Sequence, residues 1–267
     1  MKSTPYRFLV GALICALGLC LGSQAEAQQT RIEIQLNGTA PTAFAPLAAI
    51  FHDGTFDSFD SGDNLSGTGL ETLAEVGNPA AFLATAPGSA NTGTNGAQTA
   101  PGASSVPFTV DVDGTNNQFN FASMVLFSND WFVGNQNSAS VDISSLLGGA
   151  IGSNIVIDLD TVYDAGTELE DYTGVGGSNF FPFVTSGALG QDVTNGSVGV
   201  LDRSTNPYLN FTNVDNLDLA GFDPASLDGF TAPSLGNITL TVVAIPEPSS
   251  VIFGLFAGSM MLIRRRK

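Results

Sequence analysis

From Arg31 to Leu36 apolar and polar side chains alternate without a break, with Ile32, Ile34 and Leu36 on one side and Arg31, Glu33 and Gln35 on the other. A period of two gives a strand with one buried and one wetted face, and no helix can sort these residues that way. The pattern returns at Asn154–Val162, where Ile155, Ile157 and Leu159 oppose Val156, Asp158 and Asp160. It returns again at Gly236–Ala244, through Ile238, Leu240 and Val242. Phe108–Val112 and Phe119–Phe127 read as further strands, with Asp113-Gly114-Thr115-Asn116-Asn117 between them carrying the turn chemistry of a hairpin. One stretch is helical in spacing: Gly69–Val76, through Leu70, Leu73 and Ala74, stopped by Gly77-Asn78-Pro79. Residues 84–107 carry no charge and read as a long surface loop. Short strands separated by turns, with little helix, predict an all-β fold: a single antiparallel β-sandwich with long loops and at most one or two short helices.

Composition supports a packed core. Hydrophobic residues make up 43% of the 267 and Phe alone contributes 19, although charged residues reach only 12%. The charges are unevenly placed. Of eight bases, Lys2 and Arg7 lie at the start and Arg264, Arg265, Arg266 and Lys267 at the end. Residues 28–244 therefore hold 23 acids against two bases, Arg31 and Arg203, a formal charge of about −21. Such a body repels phosphate, which argues against nucleic acid or an anionic lipid surface as partner and suits divalent cations. Its 217 residues can bury one sizeable core, so one domain is expected over 28–244.

Both ends read as addresses. Lys2 and Arg7, the apolar run Phe8–Leu21 and Ala25-Glu26-Ala27 have the layout of a secretory signal peptide, with cleavage by signal peptidase expected after Ala27. Cys20 raises a lipoprotein alternative, against which stands the bulky Leu19 before it. The two cysteines, Cys15 and Cys20, both fall in this leader, so the mature chain has no disulfide and must hold itself by packing or bound ions. At the other end, Ile245-Pro246-Glu247-Pro248 precedes the apolar run 249–263 and the basic cluster. As a helix those fifteen residues span about 22 Å, short of a hydrocarbon core of about 30 Å. The cluster would stay cytoplasmic and leave the body outside. A permanent C-terminal anchor and a temporary one are both open.

Catalytic equipment is sparse. His52 is the single histidine, in a loop-like His52-Asp53-Gly54, and residues 28–244 contain neither cysteine nor lysine. Tetrahedral zinc and a Ser-His-Asp arrangement are both disfavoured, and no pair of acids stands out for glycoside hydrolysis. The chain is expected not to be an enzyme. Carboxylates near strand ends are more informative: Asp111 and Asp113, two apart on a strand, then Asp130 and Asp164, each just past an apolar strand. Such acids can converge at one edge of a sandwich as hard oxygen ligands for calcium, or they can cap turns.

The same segments carry a resemblance. Asn129-Asp130-Trp131-Phe132-Val133-Gly134, followed by Tyr163-Asp164-Ala165-Gly166-Thr167-Glu168, is similar to the paired motifs of the spondin N-terminal (F-spondin) domain, and Gly69–Gly77 resembles that family's upstream segment. The likeness is concentrated in 108–172. It implies a β-sandwich carrying one calcium ion, with Asp130, Asp164 and, at a position where the family commonly has Glu, Asp111 as ligands, and a backbone carbonyl near Leu126 completing the shell. Trp131 is expected in the core. The animal members are matrix adhesion proteins with thrombospondin repeats and cysteines that this chain lacks. Pro246, Glu247 and Pro248, the apolar run, and Arg264, Arg265 and Arg266 together resemble a PEP-CTERM sorting signal over 245–267. That likeness implies processing by exosortase, in a Gram-negative bacterium that makes exopolysaccharide, and delivery to the envelope or matrix.

Three functions follow as expectations. The first is a calcium-binding protein with a structural or adhesive role at the cell surface, partnered by exopolysaccharide or surface proteins. The second is a carbohydrate-binding module using Tyr172, Phe180 and Phe181, and the third a secreted hydrolase.

Overall fold

The computed structural model describes residues 29–39, 41–126, 128, 130–168, 196–205 and 229–246. The signal peptide (1–27), Glu247, Pro248, the apolar run 249–263, Arg264–Arg266, and Tyr172, Phe180 and Phe181 lie outside the described residues. Pro246 is described and is exposed.

The alternating segments form the first sheet. β1 (Thr30–Gly38) pairs antiparallel with β11 (Gly236–Val243), from Arg31 opposite Val243 to Gly38 opposite Gly236. β4 (Phe108–Val112) flanks β1 and β8 (Asn154–Asp158) flanks β11, giving the order β4-β1-β11-β8. Ile32, Ile34, Leu36, Ile238 and Leu240 are wholly buried on one face, while Arg31, Glu33 and Gln35 stand on the other, as the period of two requires.

The second sheet has seven strands: β10 (Gly199–Val200), β9 (Val162–Asp164), β6 (Trp131–Gly134), β5 (Gln118–Met124), β2 (Ala48–His52) and β3 (Asn91–Thr94) in that order, with β7 (Val141–Asp142) beside β5. All pairings are antiparallel. The chain is an all-β sandwich of two antiparallel sheets. Strands β2 and β5 are buried almost throughout because the larger sheet is covered on both faces. Toward the smaller sheet it sends Ala49, Phe51, Phe119, Phe121, Trp131 and Val133. Its other face sends Ala48, Ile50, Ala122, Phe132 and Tyr163 into a second core under two short helices.

The first of these, α1 (Gly69–Val76), coincides with the stretch read from spacing. The Thr68 hydroxyl accepts from the Glu71 amide at 3.2 Å, satisfying an orphan amide of the first turn, and the Glu71 carboxylate reaches back to accept from the Gly67 amide just before the cap. Gly77 ends the helix in the left-handed conformation, φ 66°, with its amide on the Leu73 carbonyl. The next helix, α2 (Pro79–Leu83), has Asn78 as its N-cap and Pro79 in its first turn, and inserts Phe82 into the second core.

Two expectations are corrected. Asp113–Asn117 is not a hairpin turn: β4 pairs with β1 and β5 with β2 and β6, so this link crosses between the sheets. Its polar side chains bind β3 and the chain before it instead: Asn116 Nδ2 donates to the Ser89 carbonyl and to Asn91 Oδ1, and Asn91 Oδ1 also accepts from the Asp113 amide. The charge-free stretch 84–107 is not all loop. Asn91–Thr94 forms β3, registered on β2 from Ala48 opposite Thr94 to Phe51 opposite Asn91.

Candidate functional site

Asp130 sits at the end of the β5–β6 hairpin. Val125 donates to the Trp131 carbonyl at 2.8 Å, closing the loop. Ser128 braces it from inside, its hydroxyl donating to the Val125 carbonyl and accepting from the Trp131 amide. Trp131 then enters the core, wholly buried and stacked on Phe230 with ring centroids 5.8 Å apart. The apolar stretch fixes the strand, and its packing draws the preceding Asp130 under the surface, where it is fully buried.

Strand β9 lies next to β6, with Trp131 opposite Asp164, so two acids distant in sequence meet at one sheet end. The turn after β9 completes the arrangement. Asp164 Oδ1 accepts from the Gly166 amide at 2.7 Å, and Gly166 adopts φ 67° with the Ser197 backbone closely packed against it. That left-handed step turns the next two amides toward Asp130, whose Oδ2 accepts from Thr167 at 3.0 Å and Glu168 at 3.1 Å. The Ala165 amide also bonds the Asp130 carbonyl.

Asp164 and Asp130 are close enough for each carboxyl to feel the other. Burial pushes the Asp164 carboxyl up from its ordinary value, outweighing the lowering by the Gly166 amide and by Asp130. Two carboxyls this close must share a proton or meet a cation. Further oxygen ligands are at hand on the same turn. The Thr167 hydroxyl is buried and without a hydrogen-bond partner among the described residues, and Glu168 is buried beside it. Glu168 was not singled out from sequence; its place two residues past Gly166, on the turn that wraps Asp130, was the available signal.

Asp111 is elsewhere. It lies directly opposite Arg31 on the outer face of the four-stranded sheet, with its carboxylate on the guanidinium, Nε to Oδ1 at 2.6 Å and Nη2 to Oδ2 at 2.7 Å. That contact holds the Asp111 carboxyl below its usual range. The Leu126 carbonyl accepts from the Thr42 hydroxyl at 2.9 Å, in a small cluster with Ala43, Ala45 and Met124. Of the four expected ligands, the structure brings Asp130 and Asp164 to one sheet end and sets Asp111 on the other sheet, while the Leu126 carbonyl stands at the start of the loop that carries Asp130. Among the described residues no group of three or more His, Cys, Asp or Glu forms a ready-made metal cage. Calcium, which takes six to eight oxygens, also accepts hydroxyls, carbonyls and water, so the donors present fit that ion as a partial shell.

His52 is not a loop residue. It ends β2, buried, with Nδ1 accepting from the Gly54 amide at 3.1 Å and Nε2 on Asn120 Oδ1 at 2.6 Å. Since Nδ1 is an acceptor, the proton sits on Nε2, and both ring nitrogens are engaged in structure. A cleft of about 200 Å³ opens between Asn135 and Val141 on one side and Ile157, Asp158 and Asp160 on the other, and His52 does not line it.

Fold and site together define an antiparallel β-sandwich with two acids, Asp130 buried and Asp164 half-buried, side by side at one sheet end. Neither a family model nor a curated protein matches the chain.

Proposed function

We propose that the protein is an exported calcium-binding sandwich of spondin type, with a structural or adhesive role at the cell surface or in an exopolysaccharide matrix. The observation that carries this reading is the placing of Asp164 beside Asp130 at one sheet end: a buried carboxyl and a half-buried one, both held by the amides of one turn, in a body with 23 acids and two bases. Asp130 and Asp164 hold the ion, with oxygens from the Thr167–Glu168 turn. Asp111 serves the four-stranded sheet instead. The ion ties the β5–β6 hairpin to the turn after β9, a role that disulfides fill in other exported domains. No catalytic role is proposed.

Signal peptidase removes 1–27 and exosortase acts on the tail 245–267 in this reading, and exopolysaccharide or surface proteins are the partners. The intact mass of the surface protein tests both cleavages, since retention of 249–267 leaves a tail-anchored protein instead.

Thermal unfolding with calcium and with chelator tests the site. Binding to the folded state alone contributes about 2.7 kcal/mol at a hundredfold excess over the dissociation constant, so calcium raises the melting temperature. Superimposable curves in the two conditions overturn the proposal.

A further inference from the structure

The four-stranded sheet has two edges, and the fold treats them differently. The β4 edge is closed against β3: Asn91 and Asn116 bind across the gap, and Gly93 packs closely against Val110. On the β8 edge no strand among the described residues pairs. Leu159 donates to the Gly236 carbonyl and the Ser153 carbonyl accepts from Val242, so the odd-numbered residues of this strand face β11. By alternation the amides and carbonyls of Asn154, Val156 and Asp158 face away from the sheet. The segment Asn-Ile-Val-Ile-Asp has neither the lysine, the proline nor the bulge with which sheet edges are ordinarily protected. Val156 is 55% exposed at its centre, and Ile155 and Ile157 are only partly covered by the core.

We propose that β8 pairs antiparallel with β8 of a second copy, about a two-fold axis through Val156. The sequence is its own complement in that register. Val156 meets Val156, Ile155 meets Ile157, and Asn154 meets Asp158, an amide donor against a carboxylate. The outward-facing amides and carbonyls of residues 154, 156 and 158 are those that exchange hydrogen bonds across such an axis, six in all by the antiparallel pattern. The isoleucines extend the inner face of one sheet into the other, and Val156 gains an apolar cross-strand neighbour. A slip of one residue sets Ile against Val on opposite faces, so the register is specified. The two bodies repel through their acids, and the strand's one acid lands on Asn154 rather than on its own copy. Pairing therefore strengthens as salt screens the charge.

Disulfide trapping tests this. In the full-length chain carrying Cys15→Ser and Cys20→Ser, Val156→Cys is the single thiol. Facing residues of a hydrogen-bonded antiparallel pair have Cα atoms about 5.5 Å apart, within disulfide reach. Mild oxidation is expected to give a covalent dimer at least tenfold faster than with Val106→Cys, which is 71% exposed beside the opposite edge. In the unmodified chain, sedimentation at high salt and high protein concentration shows a dimer, which Val156→Lys abolishes while leaving the melting temperature of the monomer unchanged. Equal trapping at 106 and 156, a dimer that survives Val156→Lys, or a monomer under every condition overturns the proposal; the last outcome with slow amide exchange at Val156 would assign the edge to this chain's own remaining segments.

Discussion

Arg31 holds Asp111 at two points across adjacent strands, Nε on one carboxylate oxygen and Nη2 on the other. The fork links β1 to β4 on the face turned away from the core, and it removes from the candidate metal centre an acid whose spacing from Asp113 had suggested a ligand.

This pair predicts an acid-side loss of stability. The folded state lowers the Asp111 carboxyl below its ordinary value of about 3.9, so its contribution is present above that pH and disappears as pH falls through the lower folded value. Asp111→Asn is expected to flatten the melting temperature against pH below about 4 and to leave the calcium response unchanged. A calcium response that disappears in this variant returns Asp111 to the site.

Asp164 carries the opposite sign. Its folded value is raised by burial, so in chelator the protonated pair is most stable below the ordinary carboxylate range, and stability falls as pH rises through the raised value. Calcium is expected to reverse that slope, because the ion requires both carboxyls ionised. Asp130→Asn and Asp164→Asn should each abolish the calcium shift in melting temperature, and Asp164→Asn should also remove the slope in chelator.

Gly166 positions the turn. A side chain there meets φ 67° and the Ser197 backbone at 2.7 Å. Gly166→Ala is expected to cost about 2 kcal/mol or more and to weaken calcium binding, because the Thr167 and Glu168 amides move off Asp130. Chemical denaturation and calcium titration of the variant measure the two effects separately.

Arg203, the second arginine of the body, is likewise used internally. It donates to the carbonyls of Asp160, Phe230 and Pro233 and lies over the Phe230 ring, 5.6 Å from its centroid, behind Trp131. Arg203→Met keeps the stem and removes the donors; a loss of about 2 kcal/mol is expected. Because Trp131 is the sole tryptophan, its fluorescence reports this directly, with a red shift in the native state if the Phe230 segment loosens.

Much of this was legible in the sequence where one physical rule acts alone. In β1 and β11 one face is buried and one wetted, and alternation gives the strand and its orientation; over Asn154–Val162 it gives β8, but that strand stops at Asp158 and Val162 opens β9 in the other sheet. In α1 an apolar stripe, a Thr cap and a terminal Gly agree. The larger sheet was harder: β2 and β5 are apolar on both faces, so a period of two has nothing to contrast. β3 carries only small polar residues and is a strand because Ala48–Phe51 offers it an edge. The link 113–117 has the residues of a hairpin turn, yet Asn116 spends its amide on the neighbouring strand, and pairing preference cannot be read from five residues. For the candidate site, the neighbourhood of Asp130 and Asp164 was readable because Asp130 directly precedes and Asp164 ends a strand whose apolar residues fix its place in the sheet. Asp111 was misplaced because strand position does not say which face meets a base.

The larger sheet belongs to two cores at once, through Phe51 and Phe119 on one side and Ile50 and Phe132 on the other. Neither the smaller sheet nor the helical layer can peel away without uncovering a full face of these strands. Layers that share a wall in this way have no separate melting points. Heating should dissolve both in one transition, with calorimetric and van't Hoff enthalpies in agreement.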